Sequence, residues 1–277
     1  MSRHSSKVYS TGGRIERSIV KHLHKLRDGL LPGEAGVKAY ALLNPFKLKF
    51  HCPICDYRGP FFDSYRRSAG QRPHARCPRC DSMERHRLQF LVVQRLAQRY
   101  DFASMSMLHM APEKFFMELF RRQFGAYVGA NLQRNRGVDL QANLCALPFC
   151  DGQFDAIYAS HILEHIKNDL QAILEVKRVL REGGLAVLPV PVVVSQTIEY
   201  PEPNPYENEH VRAPGPDYYD RYRDHFSTVE IFSSDDFPPE YQLHKYEDRT
   251  IFPHELSPWR TPMAGKCHPD MVAVCFR

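Results

Sequence analysis

The sequence predicts an α/β protein in two parts, a doubly wound, Rossmann-like sheet and a small cysteine-containing module in front of it. Strands and helices alternate from about residue 105 onward, which is typical of a parallel sheet with crossover helices. Two Cys-x-x-Cys pairs precede this alternation. The charge also divides: residues 1–100 carry 20 basic and 7 acidic side chains, and the remaining residues carry 17 and 25. Two units with different roles are therefore expected.

Several protein classes are excluded by composition. No apolar run reaches the roughly 18–20 residues that a membrane span needs. The basic N-terminus is not followed by the apolar segment of a secretory signal. Eight cysteines in 277 residues are too few for a disulfide scaffold. We therefore expect a cytoplasmic protein without a membrane span.

Composition shifts predict three segments. Residues 1–50 form a basic, helical N-terminal extension, which is either a solvated helix or an arm for an anionic partner. Residues 51–100 form a metal-binding module and a linking helix. Residues 101–277 form the Rossmann-like domain, with a proline-rich lid at about residues 196–220, because a long irregular connection is often a lid or a binding loop.

The two cysteine pairs predict a metal site. Each pair brings two thiolates to one side of a tight turn, and two such turns provide four sulfurs in tetrahedral geometry, which suits Zn²⁺. The proposed ligands are Cys52, Cys55, Cys77 and Cys80. A site closed by four thiolates is structural and not catalytic. Two redox pairs are the alternative, but the strand–helix context of a thioredoxin-like motif is absent.

A helix should follow the second pair. Asp81 is the expected N-cap, and Glu84 is positioned to complete a capping box. Arginines are frequent in this module, so a nucleic-acid, phosphate or acidic partner is allowed but not required. Four aromatic residues either stack on bases or form a mini-core beneath the metal turns, namely Tyr57, Phe61, Phe62 and Tyr65.

The elements of the second part follow from apolar runs and turn residues. Strands are predicted at residues 107–110, 126–132, 154–159, 185–190 and 271–276. Pro112 is expected to start a helix, and a second helix should run from a cap at Asn168 or Asp169 to Gly183-Gly184. Five prolines in residues 201–216 predict an irregular connection.

Residues 147–166 (LPFCDGQFDAIYASHILEHI) and 175–184 (EVKRVLREGG) resemble class I S-adenosylmethionine-dependent methyltransferases of the type 11 group. The Ala111-Pro112-Glu113 turn resembles a subgroup in which "APE" replaces the usual glycine-rich loop. That subgroup often carries an N-terminal double-CxxC zinc module, here followed by residues 80–88 (CDSMERHRL). Residues 210–218 resemble its late "HVR…G.DY" segment. The resemblance implies the methyltransferase sheet and S-adenosyl-L-methionine as cofactor.

The resemblance also implies roles for individual residues. The loop His109, Met110, Ala111, Pro112 and Glu113 should approach the methionine half of the cofactor. Asn131 and Leu132 lie where the family binds the ribose, Asn143 and Leu144 should flank the adenine, and Ser160 and His161 should face the transferring methyl. Both asparagines replace family acids, so the charge-assisted strength of those hydrogen bonds is lost.

Three histidines are candidates for catalysis. His161 either acts as a base or orients the acceptor; the alternative is that His161 and His165 only bond to the backbone and shape the pocket. His161 and His165 share a face if they are helical, and with Glu164 they form a weak candidate for a metal cluster. His210 and Arg212 are candidates for acceptor binding from the lid, and a solvated surface is the alternative.

The predicted function is S-adenosylmethionine-dependent methyl transfer to a small-molecule or glycan-type acceptor. One alternative is an RNA methyltransferase whose basic zinc module holds the substrate. Another is a non-catalytic, zinc-stapled binding or scaffold protein with a degenerate methyltransferase fold. The replacement of two acids by asparagine motivates this last reading.

Overall fold

The computed structural model describes residues 33–66, 70–134, 138–192, 194–247 and 266–277. Most of the predicted basic extension at residues 1–50 therefore lies outside the described residues. Among the helices that are described, none combines the length and the apolar composition required to cross a membrane.

Two small hairpins and two helices form the N-terminal module. Its elements are α1 (Glu34–Leu43), β1 (Lys49–His51), β2 (Arg58–Pro60), β3 (Phe62–Arg66), β4 (Gly70–Arg76) and α2 (Glu84–Ala97). The pairs β1–β2 and β3–β4 are antiparallel. Tyr57 and Phe61 are buried against the cysteines. For these two residues, the structure confirms the mini-core that was one of the two predicted alternatives.

Strands and helices then alternate as predicted. The elements are β5 (Ser106–Met110), α3 (Lys114–Gln123), β6 (Ala126–Asn131), β7 (Leu140–Gln141), β8 (Phe154–Ala159), α4 (Asp169–Val179), β9 (Leu180–Val187), β10 (Ile198–Asn204), β11 (His210–Ala213), α5 (Asp220–Arg223), β12 (Thr228–Ser233), β13 (Lys245–Glu247), β14 (Lys266–His268) and β15 (Met271–Phe276). Short 3-10 turns lie at Phe102–Ser104, Leu163–His165, Pro205–Glu207, Pro216–Tyr219, Ser234–Asp236 and Pro239–Tyr241.

Seven strands form the central sheet in the order β12-β15-β9-β8-β5-β6-β7. The five strands from β5 to β9 are parallel to one another. The last strand, β15, is inserted antiparallel between β9 and β12. Chain order reverses between β5 and β8, as in doubly wound sheets. The predicted doubly wound, Rossmann-like sheet is therefore confirmed.

The two faces of the sheet are covered by different helices. Leu108 and Ile157 point into a core that includes Ile173 and Val176 of α4. Alternate sheet residues point into a second core formed with α2 and α3, where Leu88, Val92, Phe116 and Phe120 are buried. Alternation along each strand and coverage of both faces are the expected properties of a buried parallel sheet.

The proline-rich segment differs from the prediction. Instead of an irregular connection, β10 and β11 form an antiparallel hairpin closed by the Pro205–Glu207 turn. Their register shifts between Glu199 and Asn204, a span that holds two prolines, Pro201 and Pro203. A proline has no N–H to donate to a neighbouring strand, so it is tolerated only where that side of the strand faces solvent or where the pairing is irregular. A two-stranded hairpin with a register shift offers such positions. Whether the hairpin acts as a lid remains a prediction.

Three helix boundaries were also wrong. Helix α3 begins at Lys114, after the N-cap Glu113, and not at Pro112. The N-cap of α2 is Met83 and not Asp81, whose N–H closes the turn of the second cysteine pair by donating to the Cys77 carbonyl. The cap of α4 at Asn168 is confirmed, but α4 ends at Val179. Gly184 lies in β9, where a Cβ would come within 2.8 Å of the Asp155 carbonyl, so this glycine permits close approach to β8.

His109 belongs to the core. Its side chain is 1% exposed, and its ring lies 5.0–5.9 Å from those of Phe120, Tyr127 and Tyr158. Its Nδ1 lies 3.0 Å from the Tyr127 hydroxyl. Burial lowers the pKa of His109 to about 3. The predicted cofactor contact of this side chain is therefore not supported, and the same holds for Met110 and Leu144, which pack into the opposite core.

His109 predicts a specific loss of stability in acid. Because its pKa is lower in the folded chain than in the unfolded chain, unfolding takes up a proton as the pH falls from about 6.5 toward 3. We expect this residue alone to reduce the free energy of unfolding by up to about 1.4 kcal/mol per pH unit in that window. Urea unfolding of the wild type and of His109→Phe between pH 7 and pH 5 measures the difference.

Tyr127→Phe is the matched control, because it removes the hydrogen bond and keeps the imidazole. It should retain the wild-type pH dependence, whereas His109→Phe should have a shallower one. Equal slopes for His109→Phe and the wild type would contradict the assignment of His109 as a neutral core histidine.

Candidate functional site

The predicted cofactor residues meet at one edge of the sheet. Met110, the last residue of β5, pairs with Ala130 of β6 and with Ala159 of β8, and Asn131 pairs with Gln141 of β7. The segments that follow these strands therefore begin at the same level. They hold Ala111, Pro112 and Glu113; Leu132; Asn143; and Ser160 and His161. In doubly wound sheets, ligands bind at this carboxyl edge, beside the reversal of strand order.

The turn after β5 is tight and strained. Ala111 has a φ of 46°, in the left-handed region, and its N–H donates to the Ala130 carbonyl at 2.7 Å. A residue with a Cβ costs about 1–2 kcal/mol in this conformation. Helix α3 then begins after Glu113, whose side chain does not cap it. The amide N–H groups of the first helical turn are therefore oriented toward the carboxyl edge.

Glu113 is a fixed negative charge at this edge. Its Oε1 accepts hydrogen bonds from Arg85 at 3.0 Å and lies 3.3 Å from His86 Nε2. Burial acts to raise the pKa of Glu113, but His86 and Arg85 outweigh it and lower the pKa to about 2. Within the described part of the chain, the buried Oε2 has no hydrogen-bond partner. A ligand with a cationic N–H group would satisfy it.

Asn131 and Asn143 use their amide oxygens within their own loops. Asn131 Oδ1 accepts from the Leu132 N–H at 2.8 Å, and Asn143 Oδ1 accepts from the Cys145 N–H at 3.0 Å. Each amide therefore offers a ligand its two N–H donors and one remaining lone pair. Leu132 is 61% exposed beside them and provides apolar surface.

Ser160 is held by a buried glutamine that the sequence analysis missed. Gln89 of α2 is 1% exposed and donates from Nε2 to Ser160 Oγ at 3.1 Å. Its Oε1 accepts from the Tyr158 hydroxyl at 2.6 Å. In the sequence, the only indication of Gln89 is that a polar residue lies next to the apolar stripe of a predicted helix. Helix α2 thus supports both Glu113 and Ser160.

His161 lies beside Ser160 in a strained turn, with a φ of 54°. Its N–H donates to the Pro189 carbonyl, and its Nδ1 lies 3.2 Å from Glu164 Oε1. Burial, with the charges of Arg85 and Lys245, lowers the pKa of His161 to about 3. The imidazole is therefore neutral near pH 7, and its low basicity limits proton abstraction.

A second cluster forms next to His161. The ligand atoms of Glu164, His165 and His210 all lie within 4.8 Å of one another. The rings of His165 and His210 meet edge-to-face with their centroids 4.6 Å apart. His161 and His165 do not share a helix face as expected, because the Leu163–His165 segment is a single 3-10 turn. Glu164 is 1% exposed, and burial raises the pKa of its carboxyl.

Arg212 holds this cluster together and is not a surface residue of a lid. Its side chain is 1% exposed. Its guanidinium donates to the carbonyls of Leu163 and Ile166, each at 2.6 Å, and of Lys167 at 3.1 Å. Strand β11 is thereby fixed against the turn that follows β8. The predicted role of Arg212 in acceptor binding is therefore replaced by a structural one.

The four predicted metal ligands also converge. The sulfurs of Cys52, Cys55, Cys77 and Cys80 lie within 4.8 Å of one another, and two of their separations are 3.6 Å. Sulfurs bound tetrahedrally to zinc at about 2.3 Å are about 3.8 Å apart, so the residues fit this ion. Thiol hydrogen bonds lower the pKa of Cys52 and raise that of Cys77. One thiolate therefore makes it harder for its neighbours to ionise, and a bound dication would stabilise all four thiolates together.

Both cysteine turns have the same backbone geometry. The N–H of Asp56 donates to the Cys52 carbonyl and the N–H of Asp81 donates to the Cys77 carbonyl, each at 2.9 Å. Both aspartates have a positive φ, 56° and 61°. His51 lies 2.7 Å from Asp56, and His74 lies outside the cluster beside Phe50. Neither histidine belongs to the sulfur cluster.

Most arginines of the module are engaged within the chain. Of the eight in the sequence between residues 58 and 87, four pair with carboxylates at 3.0 Å or closer, and one, the buried Arg87, donates to backbone carbonyls. The pairs are Arg72–Glu84, Arg76–Asp81, Arg79–Glu34 and Arg85–Glu113. The basic charge of this segment is therefore largely compensated by internal contacts.

Two shallow cavities lie at the opposite edge of the sheet. One of about 490 Å³ is lined by residues 97–102 and Gln123, and one of about 420 Å³ includes Asp155 and residues 181–184. These residues lie near the amino ends of β5, β8 and β9, where the predicted cofactor residues are absent. Because ligands of this fold class bind at the carboxyl edge, we do not assign the cofactor to these cavities.

Comparison with known proteins identifies one similar family. The family model described as "Methyltransferase domain" matches residues 122–188. An uncharacterized 37.1 kDa protein in transposon TN4556 of Streptomyces fradiae is 41% identical over 56 residues. That alignment covers 20% of this chain and 16% of the relative, so the chain matches only a small part of the relative's length.

Similar solved structures include two methyltransferases. An S-adenosylmethionine-dependent methyltransferase from Mesorhizobium loti is 15% identical, with a TM-score of 0.45 over 68% of this chain and 97% of that chain. One from Archaeoglobus fulgidus is 14% identical, with a TM-score of 0.44 over 68% and 94%.

The family match does not extend to residues 111–113, to the cysteine pairs or to residues 210–218. The features of the resembled subgroup therefore stay predictions. Residues 122–188 are similar to a methyltransferase domain, and this similarity supports S-adenosylmethionine-dependent methyl transfer to an acceptor that the match does not specify.

Proposed function

We propose that this protein transfers a methyl group from S-adenosylmethionine to an acceptor bound beside His161. One observation carries the proposal: the segments at Ala111, Asn131, Asn143 and Ser160 converge at the carboxyl edge of adjacent parallel strands. The match of residues 122–188 to a methyltransferase domain supports the same chemistry.

The donor would be held by residues from four strand ends. The unsatisfied Oε2 of Glu113 suits the ammonium of the methionine half. Asn131, next to Leu132, would bind the ribose through its remaining lone pair and its N–H donors, while Asn143 would flank the adenine. When bound, the sulfonium supplies an electrophilic methyl. Ser160 and His161 would face the transferring methyl and the acceptor.

The chain's own contribution to the reaction would be alignment. Gln89 fixes Ser160, and the strained turn at His161 is fixed by its bond to Pro189. Holding two reactants in the productive geometry removes a large part of the barrier to a bimolecular step. His161, neutral and weakly basic, would orient an acceptor hydroxyl or amine by accepting its hydrogen bond.

A small-molecule or glycan-type acceptor is favoured over RNA. Binding of nucleic acid relies on cationic side chains that neutralise phosphates, and five arginines of the module are already engaged. The acceptor side of the site instead carries imidazoles. RNA affinity that falls steeply as salt rises would favour the RNA alternative; no RNA affinity at low salt would remove it.

Donor binding is the direct test of the proposed function. Titration calorimetry with S-adenosylmethionine and with its demethylated product should give measurable affinity for both. Glu113→Gln should weaken both by at least about 10-fold, because a charge-assisted hydrogen bond becomes a neutral one. Glu118→Gln on the same helix, where the side chain is exposed, is the matched control and should bind as the wild type does.

If the protein is instead a non-catalytic scaffold, it should bind neither S-adenosylmethionine nor its demethylated product. The amide oxygens of Asn131 and Asn143, which already accept hydrogen bonds within their own loops, would then belong to a domain that has lost donor binding. No measurable affinity for either ligand, in a wild-type chain whose fold is verified by circular dichroism, would refute methyl transfer. Asn131→Asp should strengthen binding if Asn131 contacts the ribose hydroxyls.

We also propose that Cys52, Cys55, Cys77 and Cys80 bind one structural Zn²⁺. The support is their sulfur geometry and the matching turns that carry them. The ion would hold together a module whose own core is small.

Zinc binding is tested by single substitutions. Cys52→Ser or Cys77→Ser should lower the zinc content from about one ion per chain toward zero and unfold the module, since the remaining ligands cannot close the site. Cys150→Ser, at an exposed cysteine outside the cluster, is the control. Metal analysis of dialysed protein gives the content; unchanged zinc in both cluster variants would refute the site.

A further inference from the structure

We propose that Glu164, His165 and His210 form a second, open site for a divalent first-row transition-metal ion, on the acceptor side of His161. One carboxylate and two imidazoles converge there from two separate segments of the chain. This combination of ligands is a recurrent way of binding such ions while leaving coordination positions open. The site differs in chemistry from the closed cluster of four thiolates.

The geometry of the cluster supports a common ion. All three ligand atoms lie within 4.8 Å of one another, which allows one centre to contact all three. His161 Nδ1 lies 3.2 Å from Glu164 Oε1, so the imidazole of His161 stands next to the carboxylate that would bind the ion. The ligand His165 is exposed, so an ion there would be reached from solvent.

A second observation points to a ligand at this place. Glu164 is 1% exposed, and its Oε2 is buried without a hydrogen-bond partner among the described residues. A buried carboxylate oxygen left in this state is costly unless something binds it. Its location next to two imidazoles identifies a cation as the group that would satisfy it.

The cluster is also structurally fixed. Buried Arg212 donates to the carbonyls of Leu163, Ile166 and Lys167, which ties β11 to the turn that carries Glu164 and His165. The same strand carries His210 at its first residue. Because metal sites need ligands held in place by surrounding contacts, this brace is what an ordered site requires.

The ligand set indicates the class of ion. Imidazole and carboxylate donors suit Zn²⁺, Fe²⁺, Co²⁺ or Mn²⁺, whereas Mg²⁺ prefers oxygen ligands alone. Three protein ligands leave room for an external one. If the proposed methyl transfer is correct, that ligand is an oxygen of the acceptor, so this extension rests on the proposed function. This extension narrows the acceptor to molecules that have a metal-binding oxygen close to the methylated position.

Cobalt distinguishes the two sites in one titration. The full-length chain, freed of metal by a chelator and kept reduced, is titrated with Co²⁺ and followed by absorption. We expect two equivalents: one with the intense thiolate charge-transfer band of the cysteine cluster, and one with weak ligand-field bands and no thiolate band. In zinc-loaded chain, only the second should appear.

Variants assign the second equivalent. Glu164→Gln, His165→Ala and His210→Ala should each weaken it by at least about 10-fold while the thiolate band stays unchanged. His165 is exposed, so its variant should fold, and the unchanged thiolate band shows that the module is intact. His244→Ala, at a histidine outside the cluster that pairs with Asp235, is the control and should bind both equivalents.

Two results would overturn the proposal. One is a single equivalent that carries the thiolate band, which would leave His165 and His210 as packed aromatic rings. The other is a second equivalent that survives in all three cluster variants. Affinity for the demethylated donor is measured separately, so failure of the metal site and failure of the proposed methyl transfer can be told apart.

Discussion

The reversal of strand order between β5 and β8 is the constraint on which the site depends. From β5 the chain moves outward to β6 and β7, then crosses to β8 and continues the other way. The connections after β5 and β8 therefore diverge to opposite faces and leave a crevice at the carboxyl edge. Ala111 and His161, both with positive φ, turn the chain sharply at the two sides of this crevice. The strain at these turns is offset by the buried sheet beneath them.

Helix α2 couples the cysteine module to that crevice. Its first turns carry Glu84, buried against Arg72, and Arg87, which donates to carbonyls at Ser82 and Gln242. The same helix sends Arg85 to Glu113 and Gln89 to Ser160. A metal that orders the module would therefore also order two residues of the proposed donor site. The proposed structural metal would in this way affect the crevice, although its four cysteines lie outside it.

Elements that depend on the local sequence pattern could be predicted, whereas contacts between residues far apart in the chain could not. Apolar runs located β8 and β15 to the residue, and the strand ends located Ala111, Asn131 and Ser160. The two cysteine turns followed from spacing alone. The β10–β11 hairpin was missed because its prolines outweigh a weak strand pattern. The meeting of His165 with His210 depends on the bonds from Arg212 to backbone carbonyls more than forty residues away, and no local signal encodes such contacts.

Hydrogen–deuterium exchange with the demethylated donor tests the central claim most directly. Binding at the carboxyl edge predicts that the product slows exchange in peptides covering residues 110–114, 131–133, 142–145 and 159–162, while exchange near residues 97–105 is unchanged. Protection confined to residues 97–105 and 181–184, or no protection at saturating ligand, would contradict a nucleoside site at the reversal of strand order.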